Sequence, residues 1–118
     1  MAEKNKVSII IPIFKVRNFI ERCACSLFEQ TLKDVEYIFV DDASPDDSID
    51  VLKACIERYS ERKEQVQILV HEQNQGLPAA RNTGLAVATG EYVSHCDSDD
   101  FVEKNMLEEM YRAAKEKD

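Results

Sequence analysis

A chain of 118 residues, 44% apolar and 32% charged, is long enough for one layered core and too apolar for a disordered segment. Its formal charge of −8 argues against non-specific nucleic-acid binding, which needs clustered Lys and Arg. No apolar run approaches the ~20 residues of a membrane span, and Met1 to Lys6 lack the apolar stretch of a signal peptide, so the cytoplasm or the cytoplasmic face of a membrane is expected.

The chain opens with Val7-Ser8-Ile9-Ile10-Ile11-Pro12-Ile13, a β-branched run that marks a strand buried on both faces, with Pro12 expected at its end. The period then changes. Phe19/Ile20, Cys23/Ala24 and Leu27/Phe28 form a helical stripe. Glu36 to Asp41 reads as a second strand ending in acid. Ser44-Pro45-Asp46-Asp47 reads as a helix start, with Ser44 as N-cap, Pro45 at the first helical position and Asp47 closing a capping box. Ile49, Leu52, Cys55/Ile56 and Tyr59 continue that helix. Gln67 to His71 is a third strand. A turn, Asn74-Gln75-Gly76, leads into a helix from about Pro78 to Thr89 with a small-residue face of Ala80, Gly84 and Ala88. Glu91 to Cys96 is the fourth strand, and Val102, Met106, Leu107, Met110 and Tyr111 mark a last helix capped by Asp100. Strands alternating with helices imply one α/β domain over 1–118, with a mostly parallel sheet and helices on both faces. Ligands of such sheets bind beyond the carboxyl ends of the strands, at the switch in strand order.

Three segments fall there: Pro12 to Lys15, Asp41-Asp42, and Asp97 to Asp100. The last holds three carboxylates in four positions, which repel unless something offsets them. Alternate carboxylates such as Asp97 and Asp99 suit a hard divalent cation, Mg²⁺ or Mn²⁺, which in turn could hold a diphosphate. Helix capping is the competing account. It serves well for Asp46 and Asp47, and it accommodates one acid of the 97–100 cluster more easily than three. Arg81 stands on the first turn after the glycine, where an anion would be welcome. His71 reads as a strand-end packing residue. His95 lies two residues before Asp97 and could share its strand face. The four cysteines include no C-x-x-C pair, so buried free thiols are expected rather than a zinc site.

Taken together, Val7 to Pro12, Ser26-Leu27-Phe28-Glu29-Gln30-Thr31 and Val40-Asp41-Asp42-Ala43-Ser44 resemble the opening motifs of family 2 glycosyltransferases. So do Asn74 to Gly84, Ala88-Thr89-Gly90-Glu91-Tyr92 and Asp97-Ser98-Asp99-Asp100, in order and at family-like spacing. The resemblance implies a GT-A fold with a Rossmann-like nucleotide-binding half. It implies inverting transfer of a sugar from a nucleotide-diphosphate-sugar donor to an acceptor hydroxyl on a glycan or lipid-linked molecule. By the same resemblance Asp42, with Asp41 beside it, would contact the donor base, and Pro12 and Phe14 would line the base pocket. Asp97 would lie near the ribose and diphosphate, Asp99 would hold the Mg²⁺ or Mn²⁺, and Arg81 would face the nucleotide.

The chain departs from the family pattern in two ways. Phe14-Lys15 stands where the family commonly has Tyr-Asn. The acceptor site and general base come from later segments in the family, so these residues are expected to form the donor-binding half of a longer, truncated enzyme that binds nucleotide weakly without turnover. Two other readings compete. A non-catalytic nucleotide-binding module is disfavoured by the intact Asp97-x-Asp99. A phosphoreceiver domain would carry its acid pair after the first strand, whereas here the pair follows the second.

Overall fold

The structure, a computed structural model, describes residues 5–117. Four parallel strands, β1 (Val7–Ile13), β2 (Val35–Asp41), β3 (Val66–Val70) and β4 (Tyr92–His95), lie in the order β3-β2-β1-β4. They alternate with helices α1 (Ile20–Phe28), α2 (Ser48–Arg58), α3 (Leu77–Val87) and α4 (Met106–Lys117), and a 3₁₀ segment, Ser60–Gln65, precedes β3.

The central strands are near-continuous apolar runs because both of their faces are covered. Strand alternation divides their side chains. Ile9, Ile11, Ile13, Tyr37 and Phe39 join Ile20, Leu27, Leu52 and Leu107 of α1, α2 and α4 in the larger core. Ile10, Ile38 and Val40 face the other way and pack against Ala80 of α3. Helices thus cover both faces, as the alternating pattern predicts, three against one. Pro12 is accommodated because the β1–β4 pairing has already ended at Ile10–His95, so no ladder donor is lost there.

The lone helix on the second face sits close to the sheet. A Cβ on Gly84 would stand 2.6 Å from Ile10 Cγ2, so glycine is needed at the contact. Gly84→Ala would gain about 1 kcal/mol of helix propensity but overpack the Ile10 site by about 1–3 kcal/mol. The expected result is a lower denaturation midpoint. Ile10→Ala, itself destabilising, should make the second change cheaper, a coupling that a double-mutant cycle measures.

Two helix starts differ from the sequence reading. Ser44 does not cap α2, which begins at Ser48. The Asp46 carboxylate instead accepts the Ser44 hydroxyl at 2.6 Å, the Ser48 hydroxyl at 2.6 Å and the Ser48 N–H at 3.1 Å. These bonds pull the Asp46 carboxyl down to about 2. The two serines in turn accept the Lys15 and Val16 backbone N–H groups, so the segment staples the loop after β1 to that after β2. Asp100 likewise does not cap α4. Its N–H closes a turn onto the Asp97 carbonyl at 3.0 Å, and α4 begins six residues later at Met106. There the buried Gln30 accepts the Leu107 N–H and donates to the carbonyls of Ser26 and Glu103.

Candidate functional site

The reversal of strand order lies between β1 and β4, and the loops leaving the sheet at that point enclose a cleft of about 500 Å³. Pro12, Phe14 and Val16 follow β1, and Asp42 follows β2. Asn74, Gly76, Leu77 and Ala80 come from the β3–α3 connection and the start of α3, and Asp97, Ser98 and Asp99 follow β4. A hollow of similar size between α2 and β3, lined by Lys53, Ile56, Glu57, Val66 and Ile68, is far from the carboxyl ends of the central strands and gathers no comparable set of loop groups.

Of the residues singled out in the sequence, the cleft brings together Pro12, Phe14, Asp42, Asp97 and Asp99. Arg81 stands at its side, Nη2 3.3 Å from Asp97 Oδ1, with its Nε buried and unpartnered. Asp41 is not among the lining residues. Its Oδ1 accepts the Ser44 N–H at 2.9 Å and braces the turn after β2.

Asp42 is buried, 3% exposed, yet stays acidic. Oδ1 accepts the Gln75 N–H and faces His71 Nδ1, both at 2.8 Å, while Oδ2 accepts the Gly76 N–H at 2.9 Å and Asn74 Nδ2 at 3.0 Å. Burial pushes the carboxyl up, but the Gln75 N–H, His71 and the Gly76 N–H outweigh it and hold Asp42 below its ordinary value. The carboxylate therefore organises the turn that precedes α3, where Gly76 takes a φ of 93°. Since Asp42 only accepts, Nδ1 of His71 is the donor, and Nε2 meets the Thr83 hydroxyl at 2.7 Å. His71 is thus more than the packing residue that its strand-end position suggests. Its partners lie 29 residues before it and 12 after it, a separation without a local signal.

The acidic loop behaves differently. Asp97, Asp99 and Asp100 are all exposed, and the turn closed at Asp97–Asp100 folds one carboxylate oxygen of each to within 4.8 Å of the others. Three oxygen donors at that spacing fit a hard divalent cation. Asp100 joins the cluster rather than capping the helix, and His95 stays outside it. The loop is anchored beneath by sulfur: Cys23 Sγ lies 4.0 Å from Cys96 Sγ, and both meet the Asp97 carbonyl. All four cysteines are free, and Cys23, Cys55 and Cys96 are buried.

The loops after β1 and β2 also carry strain. Lys15 and Ala43 adopt φ of 56° and 57°, the left-handed region that disfavours Cβ-bearing residues. Lys15 Nζ lies 5.3 Å from the Phe14 ring centre. Lys15→Asn keeps the backbone bond to Ser44 and places a residue that tolerates this conformation. It should raise stability by about 0.5–1 kcal/mol, read as a higher melting temperature.

The family model described as Glycosyl transferase family 2 matches residues 8–118. The chain belongs to this family. Among family relatives, the Bacillus subtilis (strain 168) glycosyltransferase EpsJ is 40% identical over 110 residues, which is 93% of this chain and 30% of EpsJ. GlyA of Streptococcus pneumoniae serotype 4 is 36% identical over 95% of this chain and 15% of its own length. The structure of S. aureus TarS with UDP-GlcNAc superimposes with a TM-score of 0.82 at 32% identity, covering 94% of this chain and 31% of that one. The mannosyltransferase PcManGT from Pyrobaculum calidifontis, solved with GDP-Man and Mn²⁺, gives 0.82 at 25% identity over 96% of this chain and 32% of that one. The α/β sandwich is therefore the Rossmann-like portion of the GT-A glycosyltransferase fold. The chain spans about a third or less of the length of these relatives. Among the described residues, no helix is long and apolar enough to cross a membrane.

Proposed function

We propose that this chain forms the donor-binding portion of an inverting glycosyltransferase that moves a sugar from a nucleotide-diphosphate-sugar to an acceptor hydroxyl on a glycan or lipid-linked molecule. The observation that carries the reading is the convergence of Asp42, Phe14 and the acidic turn in one cleft at the switch point of the sheet. TarS with UDP-GlcNAc and PcManGT with GDP-Man support a nucleotide-sugar as the ligand class.

In this reading Phe14 and Pro12 form an apolar wall for the base, and Asp42 presents a fixed acceptor beside the turn before α3. Asp97 and Asp99, with Asp100 close by, would hold a divalent cation, Mn²⁺ or Mg²⁺, which supplies Lewis-acid stabilisation of the departing diphosphate. Arg81, already paired with Asp97, adds positive charge on the same side. The general base is expected outside residues 1–118.

Calorimetric titration with UDP, GDP and their sugars, with and without Mn²⁺, tests the proposal. Binding should strengthen with the cation, and Asp99→Ala should remove that enhancement, weakening affinity by about tenfold or more. Cation-independent binding that Asp99→Ala leaves untouched would remove the metal role assigned to the acidic turn.

A further inference from the structure

We propose that His71 is a positioning residue for the donor site: it clamps Asp42 between the sheet and α3, and its Asp42-facing nitrogen, not its bulk, sets nucleotide affinity. The inference rests on the reading of Asp42 as a base contact and adds a residue to it.

Asp42 follows the end of β2, His71 the end of β3, and Thr83 lies on the second turn of α3. His71 spans all three, with Nδ1 2.8 Å from Asp42 Oδ1 and Nε2 2.7 Å from Thr83 Oγ1. His71 is 8% exposed and its backbone N–H is tied to the Asp41 carbonyl at 2.9 Å, so the ring has little freedom to turn elsewhere. Thr83 Oγ1 also reaches the Ala79 carbonyl at 3.0 Å, anchoring the far nitrogen to the first turns of the helix. The torsion about a carboxylate's last bond is broad, and its two-fold flip only exchanges equivalent oxygens, so the hydrogen-bond partners set the plane. With Gln75 and Gly76 each donating to a different oxygen, the added bond from His71 to Oδ1 completes one arrangement. It also ties the Asn74–Gly76 wall of the cleft to the helix behind it. Loosening that bond would let the acceptor and the wall move together, and affinity would fall without any loss of direct contact to ligand.

Asparagine and glutamine separate this role from mere packing. The Asn amide nitrogen falls near the position of Nδ1, and the Gln amide falls near that of Nε2. His71→Asn therefore keeps the Asp42 bond and gives up Thr83, whereas His71→Gln does the reverse. With UDP and GDP as probes in the presence of Mn²⁺, His71→Asn should bind within about threefold of the parent. His71→Gln and His71→Ala should be weaker by about tenfold, the loss expected for a hydrogen bond to a charged group. Thermal melts should fall for all three variants, since each gives up a buried bond. Equal losses of affinity in the Asn and Gln variants, or parental affinity in the Ala variant, would overturn the inference. Asp42→Asn distinguishes the failures. If it binds as the parent does, the base-contact reading falls and this inference with it. If it loses affinity while the His71 series stays flat, this inference alone falls. Should a variant not fold, the parent chain still reports: the His71 ring nitrogen resonances should move when UDP or GDP binds, and unmoved resonances at saturation would refute the clamp.

Discussion

Asp42→Ala should cost the fold about 3–5 kcal/mol, more than any other change in the cleft, because it strands the buried His71 donor and part-buried backbone N–H groups rather than removing a contact. Three groups would lose their acceptor, His71 Nδ1 and the Gln75 and Gly76 N–H groups, while Asn74 Nδ2 would keep only the backbone carbonyl of residue 42, at 3.3 Å. The turn before α3 would then keep that single bond to residue 42. Urea denaturation should show a lower midpoint with an unchanged slope. Nucleotide binding should fall with it. The same bonds make a pH prediction. Asp42 is held below its ordinary value of 3.8, so the folded state binds its proton less readily than the unfolded chain does. Its contribution is fully present above that value and is lost as the pH falls through the lower, folded value. Parent and Asp42→Ala stabilities should therefore converge in acid, and a gap that stays constant with pH would contradict the hydrogen-bonded carboxylate.

Arg62→Met should cost about 3 kcal/mol or more, although the residue pairs with no carboxylate among the described residues and does not line the cleft. Arg62 is 3% exposed. Its Nε donates to the Phe28 carbonyl, Nη2 to those of Gln30 and Leu32, and Nη1 to the Lys33 carbonyl and the Gln65 side chain, at 2.8–3.2 Å. A helix leaves its last carbonyls without partners, and its C-terminal end favours a cation. The guanidinium serves both needs at the end of α1 and lies 5.5 Å from the Tyr37 ring centre. Methionine keeps the stem volume and removes every donor, so the Phe28, Gln30 and Leu32 carbonyls would lose the guanidinium, while that of Lys33 would keep Gln65 Nε2 and the Val35 N–H. Lysine should recover little, because a single ammonium cannot reproduce the planar fork. Equilibrium unfolding of both variants checks this, and a Lys variant as stable as the parent would mean that charge alone suffices.

Arg62 also shows where sequence reasoning runs short. A lone arginine in the polar run Ser60 to Gln65 carries no periodic signal, since its partners are backbone carbonyls about thirty residues earlier. His71 was hidden for the same reason. The two misplaced helix starts have a related cause. Ser44-Pro45-Asp46-Asp47 has the composition of a cap, but the Asp46 carboxylate met the two serines first and turned the segment into a staple between loops. Asp100 was drawn into the Asp97 turn instead of capping α4, whose start is met by Gln30 from another helix.

The order of strands and helices, the buried central strands and the acids that end two of them were legible in the sequence, because each depends on neighbours within a few residues. Hydrophobic periodicity and β-branched runs report local burial, and the run of ordered motifs named the family before any coordinate did. Only the tertiary structure decided which acids share a cleft. Strand order placed the loops after β2, β1 and β4 in a row, so Asp42, Asp97 and Asp99 came together while Asp41, one residue away from Asp42, turned to brace its own loop. The physical reason is that successive residues at a strand end point to opposite sides, and sequence spacing cannot say which side the neighbouring strand will close.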